Sequence, residues 1–351
     1  MKNIMKTLLV SIASLSLMLS VNAGELSVSG TAKATYLVSN GAQADNGIGI
    51  TNELSFTASG EMDNGFGWAY SMALDPTTAG TASSTTVPPS GSAVNDDASI
   101  VITMNDYGTA KICVSTCGNG MKYKFAQDAY TQMTDTGLSP GANYPIDAGS
   151  YASLQYHTPE LPFGTTVTMA YGQAKNDGQS GNTQGGTSGD SFEGYSLTSK
   201  PIDGLTLTAA YYDINDYDDG DASEDQLQEG GSWNAVYSMG NITVGYGKAY
   251  LAPEASAITA GGTTVEYYEN TGVSIGYAVN DELSVSYTQE TNERNMQTST
   301  TTTYDIETDS IQVAYSLGGA TLSVARADYE NVSYAQNNDA TDTIIALNFA
   351  F

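Results

Sequence analysis

The residues able to do covalent chemistry are few. The chain of 351 residues holds one histidine, His157, and two cysteines, Cys113 and Cys117. A catalytic Ser-His or Asp-His pair needs a base set beside a nucleophile and oriented by a third group. No nucleophile motif accompanies His157, which ends the segment "YASLQYH". The expectation is therefore of a protein that is not an enzyme and uses no cofactor. In an oxidising compartment, two cysteines so close in sequence favour a disulfide over free thiols. An extended strand would hold them too far apart, so the bridge requires the chain to turn over residues 114–116. So small a ring adds only about 2 kcal/mol by loop entropy. Its role would be to fix the root of the long segment that follows.

Carboxylates are the other chemical resource. The stretch "DINDYDDGDASEDQLQE" carries eight of them between Asp213 and Glu229, and no base. Its spacing misses both the EF-hand and the glycine-rich calcium repeats, so a solvated anionic loop is favoured over a metal site. The whole chain has a formal charge of -28. Nucleic acid is excluded as a partner, since phosphate neutralisation needs a basic face. Yet charged residues make up only 14% of the chain, against about 25% in ordinary domains. The 37 glycines and 24 tyrosines fill part of that gap.

The elements that must position these residues are strands. The opening "MKNIMKTLLVSIASLSLMLSVNA" places Lys2 and Lys6 before an apolar run from Leu8 to Val21 and a small-residue cleavage site. This is read as a secretory signal peptide over 1–23, preceding a single domain over 24–351. A membrane anchor is the other reading, but the run is short for a span. The leader contributes two bases and no acid, so the remainder carries -30.

Beyond it, segment after segment alternates with period two between Gly-, Asn- or Asp-rich ends. In "ELSVSGTAKATYLV", Leu26, Val28, Ala32, Ala34, Tyr36 and Val38 face one way, and Ser27, Ser29, Thr31, Lys33 and Thr35 the other. At the far end Ile345, Leu347, Phe349 and Phe351 share one face. Sixteen such segments are read. Seven short connections alternate with eight long ones near 39–48, 75–97, 115–147, 176–190, 214–230, 251–263, 291–303 and 331–340. Short turns on one side and long loops on the other, with a one-face apolar pattern, describe an outer-membrane barrel. The expected fold is all-β, a sixteen-stranded antiparallel transmembrane β-barrel. Tyr70, Tyr171, Tyr195, Tyr237, Tyr246, Tyr277, Tyr287, Tyr315, Trp68 and Trp233 share the apolar face, where their polar tips meet lipid headgroups.

Lys33, Lys111 and Lys200 fall on the polar, lumen-facing phase. A lipid-facing base at mid-depth would cost roughly 2 to 4 kcal/mol. Lys175, Lys248 and Arg326 fall on the outward phase at the long-loop ends of their strands. Two readings account for them: a bulge that flips the register, or contact with lipopolysaccharide phosphates.

Taken together, the leader, the sixteen alternating strands, the loop rhythm, the long third loop and the terminal Phe resemble the general diffusion porins of Gram-negative outer membranes. The resemblance covers the whole mature chain and is one of pattern. It implies a homotrimer in the outer membrane, surrounded by lipid and lipopolysaccharide, with short periplasmic turns and a water-filled lumen for small hydrophilic solutes and ions. It implies that Phe351 is the signal read by the outer-membrane assembly machinery. It also implies that the third loop folds into the lumen, bringing Asp128, Asp135 and Asp147 to a constriction facing Lys33 and Lys111 on the wall. The family's Pro-Glu-Phe-Gly-Gly-Asp turn is absent from that loop, and "LSPGANYPID" stands nearby. With so many acids and few lumen-facing bases, the channel is expected to favour cations. A substrate-specific channel and a non-conducting structural or adhesive barrel are the alternatives.

Overall fold

The computed structural model describes residues 24–41, 47–76, 93–113, 141–145, 153–172, 191–215, 224–253, 255–256, 264–297 and 302–351. The leader, Asp128, Asp135, Asp147, Cys117 and Lys175 lie outside the described residues.

Sixteen strands close into one antiparallel barrel. In chain order they are β1 (Glu25–Gly41), β2 (Gly47–Glu61), β3 (Gly67–Pro76), β4 (Ala93–Thr103), β5 (Thr109–Cys113), β6 (Ser153–His157), β7 (Thr166–Gly172) and β8 (Ser191–Ser199). Then follow β9 (Leu205–Asn215), β10 (Glu229–Met239), β11 (Ile242–Ala252), β12 (Val265–Ala278), β13 (Leu283–Met296), β14 (Ile306–Ser316), β15 (Ala320–Glu330) and β16 (Ala340–Ala350). Each strand pairs with its sequence neighbours, and β1 pairs with β16 to close the ring.

The polarity is inverted relative to a soluble domain. Thr35, Gln155, Asn234, Asn270, Asn292 and Gln312 are buried on the inner face. Ile48, Ile50, Ile275, Ile311, Tyr195, Tyr246 and Trp233 are exposed on the outer face. Alternation alone produces this division, because successive side chains leave a strand on opposite sides. The inner and outer phases therefore stand as the sequence pattern places them, and Lys33 and Lys111 point inward.

Closure is completed beyond the last strand. The Gly30 amide donates to the Phe351 carbonyl at 2.7 Å, and the Phe351 amide donates to the Gly30 carbonyl at 3.0 Å. The Phe351 ring lies over Gly30, where an added Cβ would stand 2.7 Å from Cε2. An aromatic ring thus covers backbone that a glycine leaves bare. Tight turns on the opposite connections rely on glycine as well. Gly204 sits at φ +76° with the Ser238 carbonyl 2.3 Å from where a Cβ would be.

The strands outrun the sequence reading at the long-loop end. β12 begins at Val265 and β13 runs on to Met296, because ladder hydrogen bonds continue through Thr, Asn and Glu after the apolar signal has ended. Asp213 and Glu229, read as loop acids, lie in β9 and β10 and are directly paired. Two short strands, Glu224–Gln226 and Ala255–Ser256, pair outside the barrel.

The pairing also bears on one of the two readings of the outward bases. Around Lys248 and Arg326 the register is unbroken on both sides, so no bulge turns either residue outward. Each instead meets a carboxylate of its own chain: Lys248 pairs with Glu269, and Arg326 with Asp328 at 2.9 Å.

Replacing Gly30 with Val should displace the Phe351 ring and destabilise the barrel by about 1 to 3 kcal/mol, the usual range for overpacking. Its heat-modifiable gel form should unfold at a lower temperature than the wild type. Gly47→Val, where an added Cβ meets nothing within 4 Å, should unfold with the wild type.

Candidate functional site

A sixteen-stranded barrel is too wide for its own side chains to fill, so what enters the lumen defines the site. The described part of the third loop, residues 141–145, enters it. These five residues lie between β5 and β6 in sequence yet touch the opposite wall.

Each contact falls on a lumen-facing position. The Tyr144 hydroxyl donates to Glu290 Oε2 of β13 at 2.9 Å. Asn270 Nδ2 of β12 donates to the Asn143 carbonyl at 3.0 Å. Asn270 is held in turn by Asn292 Nδ2, which donates to Asn270 Oδ1 at 2.7 Å. Pro145 is fully buried and stands 2.9 Å from where a Cβ on Gly230 would be, beside the Tyr212 ring. Glycine at position 230 is what lets the proline seat there.

The connection between β15 and β16 also folds inward and meets this segment. Val332 and Tyr334 are buried, and residues 331, 333, 334 and 337 adopt positive φ to make the tight path. The Asn143 amide donates to the Tyr334 hydroxyl at 3.3 Å. Gly141, at φ +76°, leaves only 2.7 Å between an added Cβ and Ser333 Oγ. The Tyr334 ring packs 5.7 Å from that of Tyr268 and lies under the Arg294 guanidinium at 4.6 Å, a cation–π distance.

The electrostatics follow from this burial. Burial first, and the adjacent Glu290 carboxylate second, push the Tyr144 hydroxyl well above its ordinary pKa. Burial also raises Tyr334, partly offset by its hydrogen bonds from Asn143. Tyr144 is therefore a neutral donor to a carboxylate, an arrangement worth about 1.5 to 3 kcal/mol. A raised pKa in the folded state means its stabilisation is complete below pH 10. It disappears only as pH climbs through the folded value.

Of the residues singled out by sequence, Lys33 lies on the inner face of β1, opposite Thr51 and Asn348. Lys111 lies on the inner face of β5, opposite Val101 and Gln155. Lys200 is exposed just past β8, at the short-turn end. His157 Nδ1 lies 2.9 Å from Thr168 Oγ1. Cys113 ends β5, buried and disulfide-bonded, at the root of the third loop. The sequence reading did not name Glu290, Asn270, Arg294, Tyr334, Phe192 or Tyr212. The last two are fully buried on the inner face, stacked with ring centroids 5.7 Å apart. Together with Ala170, Ala210 and Ile214 they form an apolar seat on the lumen wall.

Tyr144→Phe keeps the ring but removes the bond to Glu290, so the segment should detach from the wall at least tenfold more often, following the energy above. A spin label at Ala142 should report this as a mobile spectral component. Glu290→Gln, which keeps an acceptor without the charge, should fall between that variant and the wild type. The wild-type spectrum should stay immobile to pH 10 and acquire the mobile component only above it.

No family model matches the chain, and no curated protein matches it in sequence. Solved structures do. A Salmonella typhi OmpF complex with daunomycin superposes with a TM-score of 0.66 at 14% identity, covering 94% of this chain and 98% of the other. The anion-selective porin from Comamonas acidovorans gives 0.63 at 11% identity over 93% and 100%. A loop-deletion mutant of OmpT, an outer membrane protein of Vibrio cholerae, gives 0.62 at 12% over 94% and 100%. The chain has the sixteen-stranded barrel fold of the porins.

Proposed function

We propose that the protein is an outer-membrane porin of a Gram-negative bacterium, a passive water-filled channel for small hydrophilic solutes and ions. The observation that carries this reading is the inverted barrel with residues 141–145 of its third loop seated on the inner wall. An apolar exterior suits lipid, and a Ser-, Thr-, Asn- and Gln-lined interior suits water. Phe192 and Tyr212 add no greasy track to the water path, because both are fully buried.

The channel is cation-selective in this reading. The described wall carries both signs, with Lys33, Lys111 and Arg294 on the same face as Glu53, Glu290 and Asp342. Wall charge therefore does not decide the sign, and the decision falls to the loop acids. Asp128, Asp135 and Asp147 of the third loop supply the local field, and the -30 of the mature chain supplies the field at the mouth. A low-dielectric wall around narrow water focuses both. The barrel fold alone sets no sign, as the anion-selective Comamonas relative illustrates.

In this setting the mature chain is 24–351, following removal of 1–23. It sits among outer-membrane lipid and lipopolysaccharide as a homotrimer, and Phe351 is read by the assembly machinery. Because Lys248 and Arg326 are each paired with a carboxylate, they have little charge to offer lipopolysaccharide phosphates.

Planar-bilayer recording tests the proposal. Purified protein should conduct, and its reversal potential in a salt gradient should have the cation-selective sign. Selectivity should weaken with salt, as the Debye length falls from about 30 Å at 0.01 M to about 3 Å at 1 M. Changing Asp128, Asp135 and Asp147 to Asn should move the potential towards zero more than neutralising the eight carboxylates between Asp213 and Glu229. Absence of any pore would refute the channel, and an anion-selective sign would refute the electrostatic argument.

A further inference from the structure

Near its long-loop end β13 carries a base that no described acid answers. Arg294 lies two positions beyond buried Asn292 and four beyond Glu290, so the three share the lumen face. Among the described residues its guanidinium forms no ion pair, and its Nε is buried without a hydrogen-bond partner. Glu290 is already engaged by the Tyr144 hydroxyl, and Glu269 by Lys248. A charge withdrawn even partly from water and left unpaired is costly.

Two tyrosines hold this guanidinium in place. Its Cζ stands 4.6 Å from the centroid of the Tyr334 ring, which comes in from the connection between β15 and β16. Tyr268 of β12 lies directly opposite Arg294 in the ladder, with its ring 5.7 Å from that of Tyr334. Stacking of this kind fixes the plane of the fork and leaves its edge N–H groups as donors. The Tyr334 hydroxyl is occupied, since it accepts from the Asn143 amide at 3.3 Å. The Tyr268 hydroxyl is engaged by no described residue, and that side chain is only half-buried.

We infer that Arg294 and Tyr268 form a binding site for organic monocarboxylates on the lumen wall, on the long-loop side of Glu290. The site rests on the channel reading and deepens it, by naming a class of solute. The sign follows from an unneutralised guanidinium beside a hydroxyl donor. The class follows from shape and charge. Two parallel N–H groups of a guanidinium meet both oxygens of a planar carboxylate, which a spherical halide cannot match with two linear bonds. Phosphate carries more than one charge near neutral pH, and the Glu290 carboxylate on the same face disfavours the second. The ring of Tyr268 adds an apolar flank for the organic body. In a pore that favours cations, one kind of anion would thus be drawn in by contact rather than by field.

Saturation-transfer NMR on the detergent-purified, folded protein with sodium benzoate, at low ionic strength, tests the site. Saturable transfer to the benzoate ring protons is expected, weakened at least tenfold in Arg294→Lys, which keeps the charge but not the fork, and in Arg294→Gln. Tyr268→Phe, which keeps the ring but not the hydroxyl, should weaken it about tenfold. Lys200→Gln, which removes a base at the short-turn end, should leave it unchanged. Benzyl alcohol, the uncharged counterpart, should give no saturable signal, and neither phosphate nor chloride at equal concentration should displace benzoate. If Arg294→Gln fails to fold, Arg294→Lys still decides. The site is refuted by absence of saturable transfer, by wild-type binding in Arg294→Lys or Tyr268→Phe, by equal weakening in Lys200→Gln, by saturable binding of benzyl alcohol, or by displacement by phosphate or chloride. Because binding is read in detergent without any current, its failure leaves the conductance measurement standing, and absence of a pore leaves the binding measurement standing.

Discussion

In hydrocarbon, a peptide N–H or C=O without a partner costs several kcal/mol, and no water is there to supply one. A sheet that crosses lipid must therefore have no edge. The pairing of β1 with β16 meets this demand over most of both strands, and the two hydrogen bonds between Gly30 and Phe351 extend it to the final residue. The rest of the molecule depends on that closure. Only a ring has an inside, and only an inside allows side-chain polarity to be inverted without unpaired backbone.

The inside so created is not left to water alone. Two connections of quite different length, the third and the eighth, use it as a packing space. The third loop is held by a proline against a glycine notch, by side-chain and main-chain amides, and by a phenol on a carboxylate. The eighth is held by its own buried Val332 and Tyr334. These are the means by which a soluble protein packs a core, applied to the interior of a tube. Desolvation makes each bond worth more than it would be on a surface. It also ties the position of residues 141–145 to a few named side chains.

Much of this was legible in the sequence, because a transmembrane strand writes its orientation into every second residue. Strand number, closure, the outward tyrosines and the inward phase of Lys33 and Lys111 all follow from period two. The lumen seat was partly legible and was passed over. Tyr211 and Tyr212 are adjacent, so one of them must face inward, and Glu290 stands an odd step from outward Tyr287 in the same strand. What no periodicity reveals is which wall a loop will meet, since the partners of 141–145 lie on strands far along the chain. The outer ends of β12 and β13 escaped for a different reason. There both faces meet water, the apolar signal vanishes, and only the ladder continues.

The meeting of the third loop with the eighth has a bearing on how the protein is made. Asn143 and Tyr334 are separated by 191 positions, and Tyr144 waits for a strand 146 positions later. Such contacts carry a large loop-closure cost and form late. A chain that closes strand by strand reaches its full ring with residues 141–145 still unseated. Seating of residues 141–145 is then a late event of folding, contingent on the carboxy-terminal strands having arrived. An arrested precursor lacking them could neither close its ring nor seat residues 141–145, whose partners lie on those late strands and the connection before the last.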